Sequence, residues 1–139
     1  MSYLLDTNVV SETERKLPES KVVEWLGNVD SRNVYLSALT IGEIKKGVSK
    51  LASGKRKVHI QNWLEDVLQH FGGRILPITE LTFLVWGKMM ADLEQRGIVR
   101  PALDSLLEAT ALEHDLILVT RNVKNFQHSS VTILNPWEN

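Results

Sequence analysis

Three acidic residues stand where a parallel α/β chain would gather them. Asp6 closes the apolar run Tyr3-Leu4-Leu5, Glu43 follows the β-rich stretch Asn33–Ser37, and Asp104 follows Arg100-Pro101. Asp6 and Glu43 read as residues of strand-to-helix junctions, which a parallel sheet brings to one rim. Asp104 joins them if its helix starts near that rim. Carboxylates crowded into one cleft repel one another unless a cation lies between them. The chain has no cysteine, and His59, His70, His114 and His128 lack the spacing of a metal pair. The implied ion is therefore a hard one held by oxygen, Mg²⁺ with Mn²⁺ as a substitute. Each acid also has a plain structural role. Asp6 suits a helix N-cap. Thr40-x-x-Glu43 matches a capping box. Asp104 in a first helical turn complements the helix dipole. The conjunction of all three at one predicted rim is the unusual feature.

The elements that must position these groups read off the chain in order. Tyr3–Leu5 is a short buried strand, and Asn8 to Glu14 a short helix. After the loop Arg15–Pro18, Glu19 to Leu26 shows an apolar helical face through Val22, Val23, Trp25 and Leu26, closed by Gly27-Asn28. Asn33–Ser37 is a second strand. Thr40–Glu43 opens a helix with Ile44, Val48 and Leu51 on its stripe. Lys55 to Phe71 is another, with Ile60, Trp63, Leu64, Val67, Leu68 and Phe71 inward. Arg74–Ile78 is a strand whose Pro77 places it at an edge or a strand end. Thr79 or Thr82 caps a helix to Arg96, terminated by Gly97, and Pro101 opens the helix of Asp104. Leu116–Val119 is a continuous apolar run, as in sheet buried on both faces, and ends in Thr120-Arg121-Asn122. Val131–Leu134 is the last strand. Strands separated by helices imply a parallel sheet covered on both faces. Trp63, Phe71, Phe83 and Trp86 fall on apolar helical faces and are assigned to the core.

Bulk properties narrow the function classes. A length of 139 residues suits one domain, spanning 1–139. No apolar stretch is long enough to span a bilayer, and no secretory leader is visible. The absence of cysteine fits a reducing cytoplasm. A net charge of −1 gives no global attraction to nucleic acid, so a nucleic-acid binder would need its positive charge gathered locally. Lys45, Lys46, Lys50, Lys55, Arg56 and Lys57 are such a gathering, either a track for a phosphate backbone or a solvated helix face. Arg121 and Lys124 lie nearer the predicted rim and are the better phosphate contacts. Thr7, Asn8, Ser37 and Thr120 offer neutral polar contacts there, with turn and cap chemistry as their alternative. The apolar surface between Val58 and Phe71, read as a helix pair, exceeds what one small core needs. Part of it is assigned to a partner groove or dimer contact.

Four segments together carry a resemblance. They are Leu5-Asp6-Thr7-Asn8-Val9-Val10-Ser11-Glu12, Leu36-Ser37-Ala38-Leu39-Thr40-Ile41-Gly42-Glu43-Ile44, Asp104-Ser105-Leu106-Leu107-Glu108-Ala109-Thr110-Ala111 and Val119-Thr120-Arg121-Asn122, with the tail Leu134-Asn135-Pro136-Trp137. In this order and spacing the chain resembles PIN-domain nucleases, specifically VapC-type toxins of toxin–antitoxin pairs in their FitB-like branch. The resemblance implies a Rossmann-like three-layer α/β/α fold with a central, mostly parallel sheet. It implies a Mg²⁺-dependent endoribonuclease acting on structured RNA such as tRNA. It also implies a homodimer blocked by a VapB-type antitoxin, the two forming a hetero-octamer on operator DNA. Asp6, Glu43 and Asp104 match the family's metal positions. Asn122 falls where several relatives carry a fourth acid, and Asn125 where others do, so that charge is missing from both places. The implied reaction is hydrolysis to a 5′-phosphate and a 3′-hydroxyl, with Glu43 ligating through water or orienting the attacker.

Two rival readings remain. The domain could have lost catalysis with its fourth acid and act as the antitoxin-bound partner in a DNA-binding repressor. A phosphatase-like enzyme would also use an Asp at a strand end with a metal. No second Asp follows Asp6 closely and no Gly-rich phosphate loop exists, which weakens that last reading.

Overall fold

The computed structural model describes residues 1–138. Five parallel strands form one sheet in the order β3-β2-β1-β4-β5. They are β1 (Tyr3–Leu5), β2 (Val34–Ser37), β3 (Ile75–Leu76), β4 (Ile117–Val119) and β5 (Ile133–Leu134). The helices are α1 (Thr7–Glu12), α2 (Ser20–Asn28), α3 (Ala38–Ser49), α4 (Lys55–His70), α5 (Glu80–Gln95) and α6 (Ala102–Glu113), with 3₁₀ turns at Ser31–Asn33 and Val123–Phe126. The central strand β1 pairs Tyr3 with both Val34 and Ile117, so its carboxyl end lies between those of β2 and β4. Strand order reverses there, because β2 and β3 run to one side and β4 and β5 to the other. Such a reversal leaves a crevice outside the strand ends.

Alternation along β1 divides the core. Leu5 faces the α1, α2, α3 and α4 side, among Val9, Val22, Leu36, Val48 and Leu64. Leu4 faces the other side, with Leu107, Ala111, Leu118 and Phe126. Both leucines are buried, as required of a strand covered on both faces. A smaller cluster of Met89, Leu93 and Ala109 joins α5 to α6. The edge strands β3 and β5 have two residues each, which leaves little unpaired backbone to recruit another chain.

Several sequence expectations are corrected. Gly27 and Asn28 continue α2 instead of closing it. Val58 to Phe71 is not a helix pair but part of one continuous helix and its cap. Leu68 and Phe83 are exposed rather than inward. Helical periodicity places a residue on a face but not how far the neighbouring element reaches over it. Gly97 does end the α5 region, with φ of 74°. No helix of the described residues is long and apolar enough to cross a membrane.

Candidate active site

Asp6 occupies the single residue between β1 and α1. Its backbone is extended, with φ −70° and ψ 158°. Oδ1 accepts the Thr7 N–H at 2.7 Å, which caps α1. Oδ2 accepts the Thr120 hydroxyl at 2.8 Å and the Asn8 amide at 3.3 Å. The cap role and a site role therefore coexist on one side chain, one for each oxygen. Thr120 directly follows β4 and is fully buried, and its hydroxyl also accepts the Asn122 N–H at 3.0 Å. The parallel pairing of Leu5 with Val119 sets the two strand ends side by side and makes this contact automatic. Burial raises the Asp6 carboxyl above its ordinary value of 3.8. The Thr120 and Thr7 hydrogen bonds oppose that rise, and the charges of Asp104 and Glu43 add to it.

Glu43 arrives differently from the sequence expectation. Helix α3 starts at Ala38, and its N-cap is Ser37, whose Oγ accepts the Leu39 N–H at 3.0 Å. Glu43 therefore lies in the second turn, and the Thr40–Glu43 capping box does not form. Strand β2 continues in register with β3 through Ser37, so the helix begins at once and earlier than the Thr-x-x-Glu signal suggests. Glu43 Oε1 instead accepts the Thr7 hydroxyl at 2.7 Å, tying α3 to the start of α1. Asp104 does lie in the first turn of α6. Its Oδ2 accepts the Asn125 amide at 3.1 Å. Burial raises this carboxyl too. The Asn125 hydrogen bond opposes the rise, Glu43 adds to it, Arg100 opposes and Glu108 adds.

The three acids thus lie close enough that Glu43 and Asp104 both raise Asp6, and Glu43 also raises Asp104. As placed, no three acidic or histidine side chains of the described residues enclose a point close enough to ligate one ion directly. The donor set is nevertheless what a water-bridged hard cation requires. Every candidate ligand is a carboxylate oxygen. Glu43 and Asp104 each keep one oxygen outside the hydrogen bonds described here. Burial chiefly, and neighbouring acids in smaller part, raise Asp6 and Asp104, and a divalent ion would offset that repulsion.

The remaining predicted contacts divide. Thr7, Asn8 and Thr120 reach the site, but their polar groups are spent on Glu43, Asp6 and the Arg121 backbone N–H, which Asn8 Oδ1 accepts at 3.2 Å. Of the two roles the sequence allowed Ser37, the structure gives it the cap: it is fully buried there and offers no surface to a substrate. Asn122 stands just before the Val123–Phe126 turn without a side-chain cap bond, and among the described contacts Asp6 is held by Thr7, Thr120 and Asn8, not by Asn122. Arg121 and Lys124 are exposed beside a cleft of about 420 Å³ that Asn122, Asn125 and Asn135 also line. The Arg121 guanidinium stands over the Trp137 ring, 5.2 Å from its centroid, which steadies a surface cation. Sequence reasoning missed that platform, and it missed Asn125 as the donor to Asp104. It also missed the buried pair of Arg100 and Glu108, whose only signal was a Glu inside the apolar run Leu106-Leu107-Glu108-Ala109.

Away from the crevice, an apolar groove of about 390 Å³ runs between α1, α2 and α4, lined by Leu5, Val10, Leu26, Val34, Trp63 and Phe71 among others. Of the six basic residues after Glu43, Arg56 pairs with Glu14 at 3.6 Å, and both line a smaller cavity with Glu43.

Comparison with known proteins gives a consistent result. The PIN domain family model matches residues 3–129. The chain is 38% identical to Toxin FitB of Neisseria gonorrhoeae, over 96% of this chain and 97% of that protein. It is 35% identical to VapC ribonuclease Y4jK of Sinorhizobium fredii, over 97% of each. Among solved structures, FitAB bound to an IR36 DNA fragment superimposes with a TM-score of 0.92 at 36% identity, covering 99% of this chain and 96% of that one.

Proposed function

Because the chain belongs to the PIN-domain family, we propose that it is a metal-dependent endoribonuclease toxin, cutting structured RNA of the tRNA kind. The observation that carries this reading is the meeting of Asp6, Glu43 and Asp104 at the carboxyl end of the sheet, where Thr7 bonds both Asp6 and Glu43 and the charges of Glu43 and Asp104 raise Asp6. The kinship to a named ribonuclease supports the phosphodiester as the bond attacked. The tRNA class follows from family resemblance.

Asp6, Glu43 and Asp104 would hold Mg²⁺, with Mn²⁺ as substitute, through carboxylate oxygens and intervening water. When bound, the ion polarises the scissile phosphate and eases ionisation of the attacking water. The protein's own groups prepare this. Thr120, Asn8 and the Thr7 N–H orient Asp6, and the Thr120 and Thr7 bonds favour its ionised form. The Thr7 hydroxyl holds one Glu43 oxygen and leaves the other to accept a proton from water. Asn125 does the same for Asp104 as a ligand. In-line attack forms the new P–O bond and breaks P–O3′, leaving a 5′-phosphate and a 3′-hydroxyl. Arg121, backed by Trp137, and Lys124 meet flanking phosphates. A VapB-type antitoxin would cover the apolar groove beside α4, with homodimers of the toxin assembling on operator DNA in a hetero-octamer.

The experiment is RNA cleavage with and without Mg²⁺, comparing wild type with Asp6→Ala and Asp104→Ala. Cleavage that needs the ion and disappears in both variants is the expected result. A second reading, an antitoxin-bound partner in a DNA-binding repressor without appreciable cleavage, is favoured by Asn122 and Asn125 standing where an acid would add charge. The DNA-bound FitAB relative supports it too. Equal residual cleavage by wild type and both variants would reject the nuclease in its favour.

A further inference from the structure

One buried group plays no part in the mechanism above. Arg100 and Glu108 form a two-pronged ion pair, Nε to Oε1 at 2.7 Å and Nη2 to Oε2 at 3.3 Å, and both side chains are 1% exposed. The same Nη2 donates to the Gln127 carbonyl at 2.6 Å. Arg100 lies just ahead of α6. Glu108 lies four residues after Asp104 on that helix, hence on the same face. Gln127 lies two residues after Asn125, at the end of the Val123–Phe126 turn. One guanidinium therefore fastens three segments: the lead-in to α6, α6 itself and the turn that carries Asn125. That turn touches the acids through one hydrogen bond among those described, Asn125 Nδ2 to Asp104 Oδ2.

Stability alone does not explain the pair. Both side chains are out of water, and replacing a buried ion pair by apolar residues of similar volume is often neutral or stabilising. What the fork adds is geometry, since two parallel N–H···O bonds fix the orientation of both partners. A single amide contact across a turn needs such anchoring, because a shift of a few tenths of an ångström breaks it.

Resting on the metal-site reading above, we propose that Arg100 and Glu108 are positioning residues: their pair, through the Gln127 carbonyl, seats the Asn125 amide against Asp104 and so fixes the carboxylate that meets the metal. Groups that orient a ligand from behind are worth about 10–100-fold in metal affinity.

The test measures Mn²⁺ affinity of the full chain by calorimetry, with thermal melting of the metal-free protein alongside. Asn125→Ala should weaken Mn²⁺ binding about ten-fold or more. Arg100→Met with Glu108→Met should melt at or above the wild-type temperature, yet weaken Mn²⁺ by a similar factor. Adding Asn125→Ala to that pair should cause no further loss, because both changes release the same contact. A Met/Met protein that melts like wild type and binds Mn²⁺ equally well overturns the proposal, and so do losses that simply multiply. If the Met/Met protein melts far lower, Arg100→Lys decides. Its point charge keeps Glu108 paired but cannot also grip Gln127, so weaker Mn²⁺ binding is expected and unchanged binding refutes it. Wild type that takes up no Mn²⁺ would instead reject the metal reading itself.

Discussion

Thr120→Val removes one hydroxyl and almost no volume from the best-connected atom of the site. The Thr120 oxygen donates to Asp6 Oδ2 at 2.8 Å, accepts the Asn122 N–H at 3.0 Å and lies 3.4 Å from the Asn8 amide. After the change, Asp6 Oδ2 keeps only the Asn8 amide at 3.3 Å, a longer and weaker contact. A hydrogen bond to an ionised group is worth about 1.5–3 kcal/mol. The whole of that loss falls on the ionised form, which is the form that binds a cation. At about 1.4 kcal/mol per decade, Mn²⁺ affinity should fall roughly ten- to hundred-fold. The Asp6 carboxyl, already raised by burial, should rise further, because the Thr120 bond is the largest influence holding it down. Calorimetric titration at pH 6 and pH 8 reads both effects, and because protons compete with the ion for a raised carboxyl, any difference between the two should be a larger deficit at the lower pH. Thr120→Ser keeps the hydroxyl and should bind as wild type does. A folded Thr120→Val protein with wild-type Mn²⁺ affinity at both pH values would show that Asp6 needs no help from β4.

Two further outcomes follow from the same geometry. Asp6 and Asp104 are both raised from 3.8, chiefly by burial, so the folded protein keeps protons that the unfolded chain has released. Without metal, stability should therefore decline as pH rises from about 4 through the folded values. Asp6→Asn should flatten that decline, melt above wild type at pH 7 in chelator, and gain little from added Mg²⁺; a variant melting below wild type there contradicts the charge argument. Ser37→Ala removes the α3 cap and should cost about 1 kcal/mol in denaturant unfolding. RNA affinity per folded molecule should stay unchanged, and a marked loss would restore Ser37 as a substrate contact.

Local chemistry wrote much of this molecule into its sequence. The apolar runs at Leu4-Leu5 and Leu116–Val119 read as buried strands and are so in the fold, and Pro101 and Gly97 mark helix boundaries through steric effects on their own backbone. That strands alternate with helices dictates parallel pairing, and parallel pairing takes Asp6 to a rim. The partners of the acids were decided by tertiary structure alone. Thr120 and Asp6 are 114 positions apart and Thr7 and Glu43 are 36 apart, and nothing in either neighbourhood specifies the other. The same holds for the choice of Ser37 over Thr40 as the α3 cap, which depends on how far β2 stays paired with β3. A residue's own type sets which bonds it can make; only the packed sheet, by fixing which strand ends lie side by side, sets which of them it does make.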